Sequence, residues 1–84
     1  MRTVVLFLLF APTLAFAQSP DTGQLFASAI AAQQRGDYPV AIDDYEKLLK
    51  LEPKMVEARV NLGAALAHAG RFDDAIAQYH AALS

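Results

Sequence analysis

His68 and His80 are the only imidazoles in this chain, and Asp43-Asp44 and Asp73-Asp74 are its adjacent carboxylate pairs. These are the groups that could ligate a metal or exchange protons. A metal needs such groups to converge, and neither histidine has a ligand-type partner four residues away on its own helix. Each reads as a solvated histidine; His68 lies near a predicted helix C-terminus, where positive charge is favoured. Adjacent residues on a helix diverge by about 100°, so the acidic pairs cannot present two carboxylates to one substrate atom. Asp44 is followed by Lys47, which makes that pair read as a solvated face, and Asp73-Asp74 opens a helix, where negative charge complements the dipole. Ser19, Ser28 and Ser84 have no histidine at the spacing of a nucleophilic pair. With no cysteine, thiolate chemistry and thiolate metal sites are absent too. The residues point away from catalysis and imply no cofactor.

What the chain has instead is a repeat. Gly36 returns as Gly70, Tyr38 as Phe72, Ala41-Ile42 as Ala75-Ile76, Tyr45 as Tyr79 and Leu49 as Leu83, always 34 residues on. All of these are glycine, alanine or bulky apolar residues. That period is characteristic of stacked helix–turn–helix units.

Periodicity and punctuation place four helices. Asp21 can cap the first, which sets Leu25, Ala29 and Ala32 on one face with Phe26 and Ile30 beside them, until Gly36 ends it. Asp37 can cap the second, with Pro39 in its first turn. Its buried stripe is Ala41, Ile42, Tyr45, Leu48 and Leu49, and Pro53 stops it. The third carries Val60, Leu62, Gly63 and Leu66 and ends at Gly70. The fourth starts near Phe72 and repeats the stripe with Ala75, Ile76, Tyr79, Ala82 and Leu83. Short connections force sequential helices to pack antiparallel.

These residues resemble the tetratricopeptide repeat. Leu62-Gly63, Leu66, Gly70, Phe72, Ala75, Tyr79 and Ala82 fall at the family's signature spacings in one unit. Ala29, Ala32, Gly36, Tyr38, Ala41, Tyr45 and Pro53 do so in the other. Ser28 departs from the usual leucine, and Leu25 and Arg59 stand where tryptophan is frequent. The resemblance implies an all-α fold of two units, residues 22–55 and 56–84, the second incomplete at its C-terminus. It also implies a groove, lined by the first helix of each unit, that takes an extended peptide or a partner helix. Carried over by position, that groove is lined by Phe26, Ile30, Gln33, Gln34, Val60, Asn61, Ala64, Ala67 and His68. Members that clamp a C-terminal carboxylate have lysine and asparagine where this chain has Phe26 and Ile30. Only Asn61 survives from that pattern, so an apolar or helical protein partner fits better.

The first residues read as an export signal. Arg2 supplies a positive charge, residues 4–10 are apolar, and Ala15-Phe16-Ala17 is a cleavage signal. The apolar stretch is broken by Pro12 and falls short of the roughly 20 residues of a spanning helix, although an uncleaved anchor remains the alternative. Cleavage after Ala17 would leave a short polar leader, residues 18–21, and a periplasmic or secreted domain with no membrane segment. Losing Arg2 would make the formal charge of −2 more negative, and no basic stripe exists to bind nucleic acid. Leu83 and Tyr79 lie on a face with no helix after it, whereas three or more units usually stabilise such arrays. Three readings follow: a fragment of a longer array, self-association through Tyr79 and Leu83, or folding against a partner. The function implied is an exported scaffold for protein–protein contacts without catalysis. The alternative is an N-terminal adaptor segment of a larger envelope enzyme or assembly factor.

Overall fold

The computed structural model describes residues 21–84, which form four α-helices and no strand. They are α1 (Thr22–Gln34), α2 (Tyr38–Leu51), α3 (Val56–His68) and α4 (Phe72–Leu83). Each packs on the next in sequence, α1 on α2, α2 on α3 and α3 on α4. The all-α hairpin architecture is therefore as expected. The export signal and most of the polar leader lie outside the described residues. No helix among the described residues is long and apolar enough to cross a membrane.

The helix ends follow from local chemistry. The Asp21 carboxylate accepts from the amides of Gly23 and Gln24, and Asp37 accepts from the Val40 amide. Each satisfies amides that have no partner within the first turn. Gly36 and Gly70 take positive φ, 79° and 83°. Around Gly36 the Asp37 amide reaches back to the Ala32 carbonyl and the Gly36 amide to Gln33; around Gly70, Arg71 reaches Leu66 and Gly70 reaches Ala67. That paired bonding is the Schellman closure, which needs a left-handed residue at the glycine. The hairpins therefore turn at the same place in both units. Arg71 stands where Asp37 stands in the first unit and gives α4 no side-chain cap. Asp73 and Asp74 occupy that helix's first turn instead, and Asp74 pairs with Arg71 at 2.9 Å.

The core is built from small and large residues in alternation. Ala29, Ala32, Ala41, Ala58 and Ala65 are fully buried, with Tyr45 and Leu48 filling the space between them and Leu62 and Leu66 nearly as enclosed. Alanine at the crossings lets the helix backbones approach; the tyrosine and leucines fill what remains at interior density. Gly63 goes further, since a Cβ there would lie 2.7 Å from the Tyr79 ring. At the equivalent position beside Tyr45, the first unit carries Ala29.

Two expectations about burial need correction. Asp44 is not on a solvated face: it is buried, and the Ser28 hydroxyl donates to its carboxylate at 2.8 Å. The exposed member is Asp43, which holds Lys47 at 3.0 Å, one turn on. Asp44 turns inward to Ser28, which leaves Asp43 as the carboxylate that Lys47 meets in solvent. In α4 the expected stripe is buried only at Ala75. Ile76 and Leu83 face outward, while Tyr79 and Ala82 are partly covered.

Ala41 tests the packing. Ala41→Leu adds three carbons to a site with no free volume, and we expect a loss of about 1–3 kcal/mol. That would lower the thermal midpoint by about 4–8 °C per kcal/mol for a domain of this size. Circular dichroism melts measure it; an unchanged midpoint would mean that α1 and α2 are not in close contact at Ala41.

Candidate functional site

The first helix of each hairpin, α1 and α3, carries the residues expected to form a groove. The structure brings four of them together. Ile30, Gln33, Gln34 and Asn61 line an open cleft of about 330 Å³ with Tyr45 as its floor. Tyr45 rises from α2, is wholly buried as a residue, and its hydroxyl donates to the Gln33 Oε1 at 2.7 Å. The Asn61 side chain lies beside that hydroxyl on the opposite wall of the cleft. The phenolic oxygen thus donates to α1 and faces the α3 amide, and both amides keep capacity for a further partner.

Burial raises the Tyr45 phenol above its ordinary value of 10.0, because a phenolate is poorly solvated there; the neighbouring Asn61 amide partly opposes the shift. Phe26 flanks the cleft, half-buried, its ring edge-on to Tyr45 with centroids 6.3 Å apart. Ile30 is likewise half-buried against the core. Both therefore pack inward while leaving an edge in solvent.

The remaining expected residues lie along α3. Val60, Ala64, Ala67 and His68 follow the i, i+4, i+7, i+8 stripe; Val60 is exposed, and Ala64 and Ala67 are half-buried. His68 is exposed as expected, but it is not merely solvated. Its ring stacks on Tyr38 at 5.1 Å and 6°, tying the end of α3 to the start of α2. No group of three or more potential metal ligands occurs among the described residues.

Sequence reasoning missed three positions. Ser28 replaces the usual leucine and is exposed, serving Asp44 rather than packing. Arg59, where tryptophan is frequent, donates to the Pro53 carbonyl at 2.8 Å and to Gln78 at 3.1 Å. It joins the α2–α3 turn to α4 by hydrogen bonds where an aromatic ring would do so by area. Tyr45 itself was read as core filler, while its hydroxyl organises the cleft. The signal for that was available, since a buried tyrosine needs a partner for its hydroxyl.

Two helical hairpins, stacked in register, with a cleft between their first helices, define a helical repeat scaffold. The tetratricopeptide repeat family model matches residues 26–84. The chain belongs to that family, whose repeats generally mediate protein–protein interaction. Among curated proteins, none matches the chain.

Tyr45→Phe separates the hydroxyl from the ring. It should cost about 0.5–1.5 kcal/mol, the net worth of a hydrogen bond whose partners can still reach water. The pH dependence has a definite sign. With a folded-state pKa above 10.0, the unfolded chain loses the proton first, so stability falls as pH rises through about 10 and beyond. Urea midpoints at about pH 8 and about pH 11 should converge more closely for Tyr45→Phe than for the parent. Equal alkaline losses in both would show that Tyr45 does not contribute.

Proposed function

We propose that this chain is an exported scaffold that holds a protein partner along the α1–α3 face and carries no catalytic activity of its own. The observation that supports this most is the Tyr45 cleft, where the Gln33 and Asn61 amides converge beside the exposed edges of Phe26, Ile30 and Val60. Amides can pair with a peptide backbone, and the apolar edges can bury alternate side chains. The groove comprises Phe26, Ile30, Gln33, Gln34, Val60, Asn61, Ala64, Ala67 and His68. It has no lysine or arginine to hold a terminal carboxylate, so it suits an internal apolar segment or a helix. Export rests on the charged, apolar and Ala15-Phe16-Ala17 sequence of residues 1–17, and places the scaffold in the periplasm or outside the cell. The units it would expose are residues 22–55 and 56–84.

Self-association is the second reading, favoured by the exposure of Tyr79 and Leu83 on α4. The adaptor reading, in which these hairpins open a larger envelope protein, uses the same groove and differs only in what it is attached to.

Photo-crosslinking residues placed at Val60 and Gln34 in source cells should form adducts with a discrete partner. The same probe at Glu46 or Lys50, on the opposite helix of the hairpin, should not. Val60→Asp should weaken the interaction about tenfold or more, the effect of a desolvated charge in an apolar contact. Equal adducts from both faces would overturn the groove reading. The intact mass of the native protein tests export separately: the expected N-terminus is Gln18, and a retained Met1 or Arg2 would overturn it.

A further inference from the structure

Phe72, Ile76, Tyr79 and Leu83 stand four, three and four residues apart on α4, and all four are exposed. That is the a/d spacing of a helix–helix seam. The chain contains its own control for what such a seam requires. Tyr38, Ile42, Tyr45 and Leu49 have the same spacing on α2, and there α3 covers them. Ile42 is 7% exposed against 52% for Ile76, Tyr45 0% against 37% for Tyr79, and Leu49 9% against 86% for Leu83.

The occupant that fits is therefore a helix, and the second copy's own helices can be compared. α3 covers α2 with Ala58, Leu62, Ala65 and Leu66, all buried in doing so. The equivalent residues of α1 are Gln24, Ser28, Ala31 and Ala32. Ser28 is engaged with Asp44, and Ala32 is already buried. α1 thus has no leucine ridge, and a head-to-tail stack of copies lacks its knobs. α4 does have them. Its spacing reads the same from either end, so an antiparallel two-fold pair is self-complementary, as a closed dimer requires.

Resting on the self-association reading, we propose that a second copy docks as an antiparallel α4–α4 pair, Phe72 against Leu83 of the second copy and Ile76 against its Tyr79. The flanks agree with that register. Asp73 and His80 lie on one side of the seam, and pairing places Asp73 beside His80 of the second copy, twice by symmetry. Ala75 and Ala82 lie on the other side, where α3 packs. Arg71 comes to the C-terminal end of the opposing helix, where the dipole favours a cation. The apolar seam is the size of a large patch on a monomer, roughly 300–600 Å². That is less than the ~800 Å² per partner of a standard interface, so the pairing is that of a reversible dimer.

The test is sedimentation equilibrium on the full chain, with its processing state read by intact mass, over a hundredfold range of concentration. The expected result is a reversible dimer whose dissociation constant rises at least tenfold in Ile76→Asp while the far-ultraviolet helicity is kept. Register is read separately, because the chain has no cysteine. Phe72→Cys and Leu83→Cys, mixed and oxidised, should form the hetero-disulfide in preference to either homo-disulfide. A monomer at every concentration overturns both the self-association reading and this pairing. So does a native mass extending beyond Ser84 with monomeric behaviour, which would mean that a further hairpin covers α4. A dimer that ignores Ile76→Asp and shows no hetero-disulfide preference leaves self-association standing and overturns the antiparallel seam.

Discussion

Three helices meet at the Tyr45 side chain. Its ring is buried beneath α1 and α3, and its hydroxyl donates to Gln33 of α1 with Asn61 of α3 beside it. A tyrosine can do this because it joins a large apolar body to a single polar tip. The body fixes the spacing of the hairpins, and the tip fixes their register. The alanines at the crossings are a consequence, since a ring of that size fits only where the facing helix offers little beyond Cβ. The cleft is a consequence too: satisfying the hydroxyl draws Gln33 to the same point of the surface as Asn61.

The second unit shows what the same sequence pattern does without a covering helix. Tyr79 repeats Tyr45, but the residue equivalent to Gln33 is Ala67, and Tyr79 lies against the bare backbone of Gly63. Its ring is held by contact on one side only and remains partly exposed. Polar links lie at the surface of this hairpin, and Arg59–Gln78 is the one among the described residues that runs from α3 to α4. Arg59 bonds to Pro53 and Gln78, and Arg71 pairs with Asp74. Exposed pairs of this kind contribute little, typically 0–1 kcal/mol. The stability of α4 therefore rests mainly on Ala75 and on the Tyr79–Gly63 contact, and it is the least supported helix of the four.

How much of this was legible in the sequence divides along physical lines. The helices, their caps and both glycine turns were readable, because they depend on residues within five positions of one another. Asp21, Asp37, Gly36 and Gly70 all behave as their local chemistry dictates. The antiparallel stacking was readable from the short connections, and the repetition of the hairpin from the 34-residue period. Asp44 was misread because its partner, Ser28, lies on another helix, and local spacing pointed to Lys47 instead. Arg59 was seen as a departure from the family pattern without its compensation, since Pro53 and Gln78 come to it only through the fold. For the groove, four of the expected residues, Ile30, Gln33, Gln34 and Asn61, meet at one cleft. The sequence could not show that Phe26 and Ile30 turn half inward, or that His68 is held by Tyr38, because both depend on the distance between helices.

The cleft and the α4 seam are on opposite sides of the same hairpin, and that connects them energetically. In stacked repeats each unit is stabilised by its nearest neighbours. The two hairpins share the α2–α3 contact, but α2 buries Tyr45, Leu49 and Ile42 whereas α4 buries only Ala75. Asn61 and Val60, which complete the proposed binding face, belong to the hairpin whose second helix buries less. Covering Ile76, Tyr79 and Leu83 with a second helix would hold α4 against α3, and through α3 would hold Asn61 at the Tyr45 hydroxyl. A partner seated in the cleft would act in the opposite direction, fixing α3 and thereby the seam on α4. Linkage requires the two effects to be equal in free energy. On the proposed pairing, the occupant of the seam would therefore also set how firmly the cleft is formed.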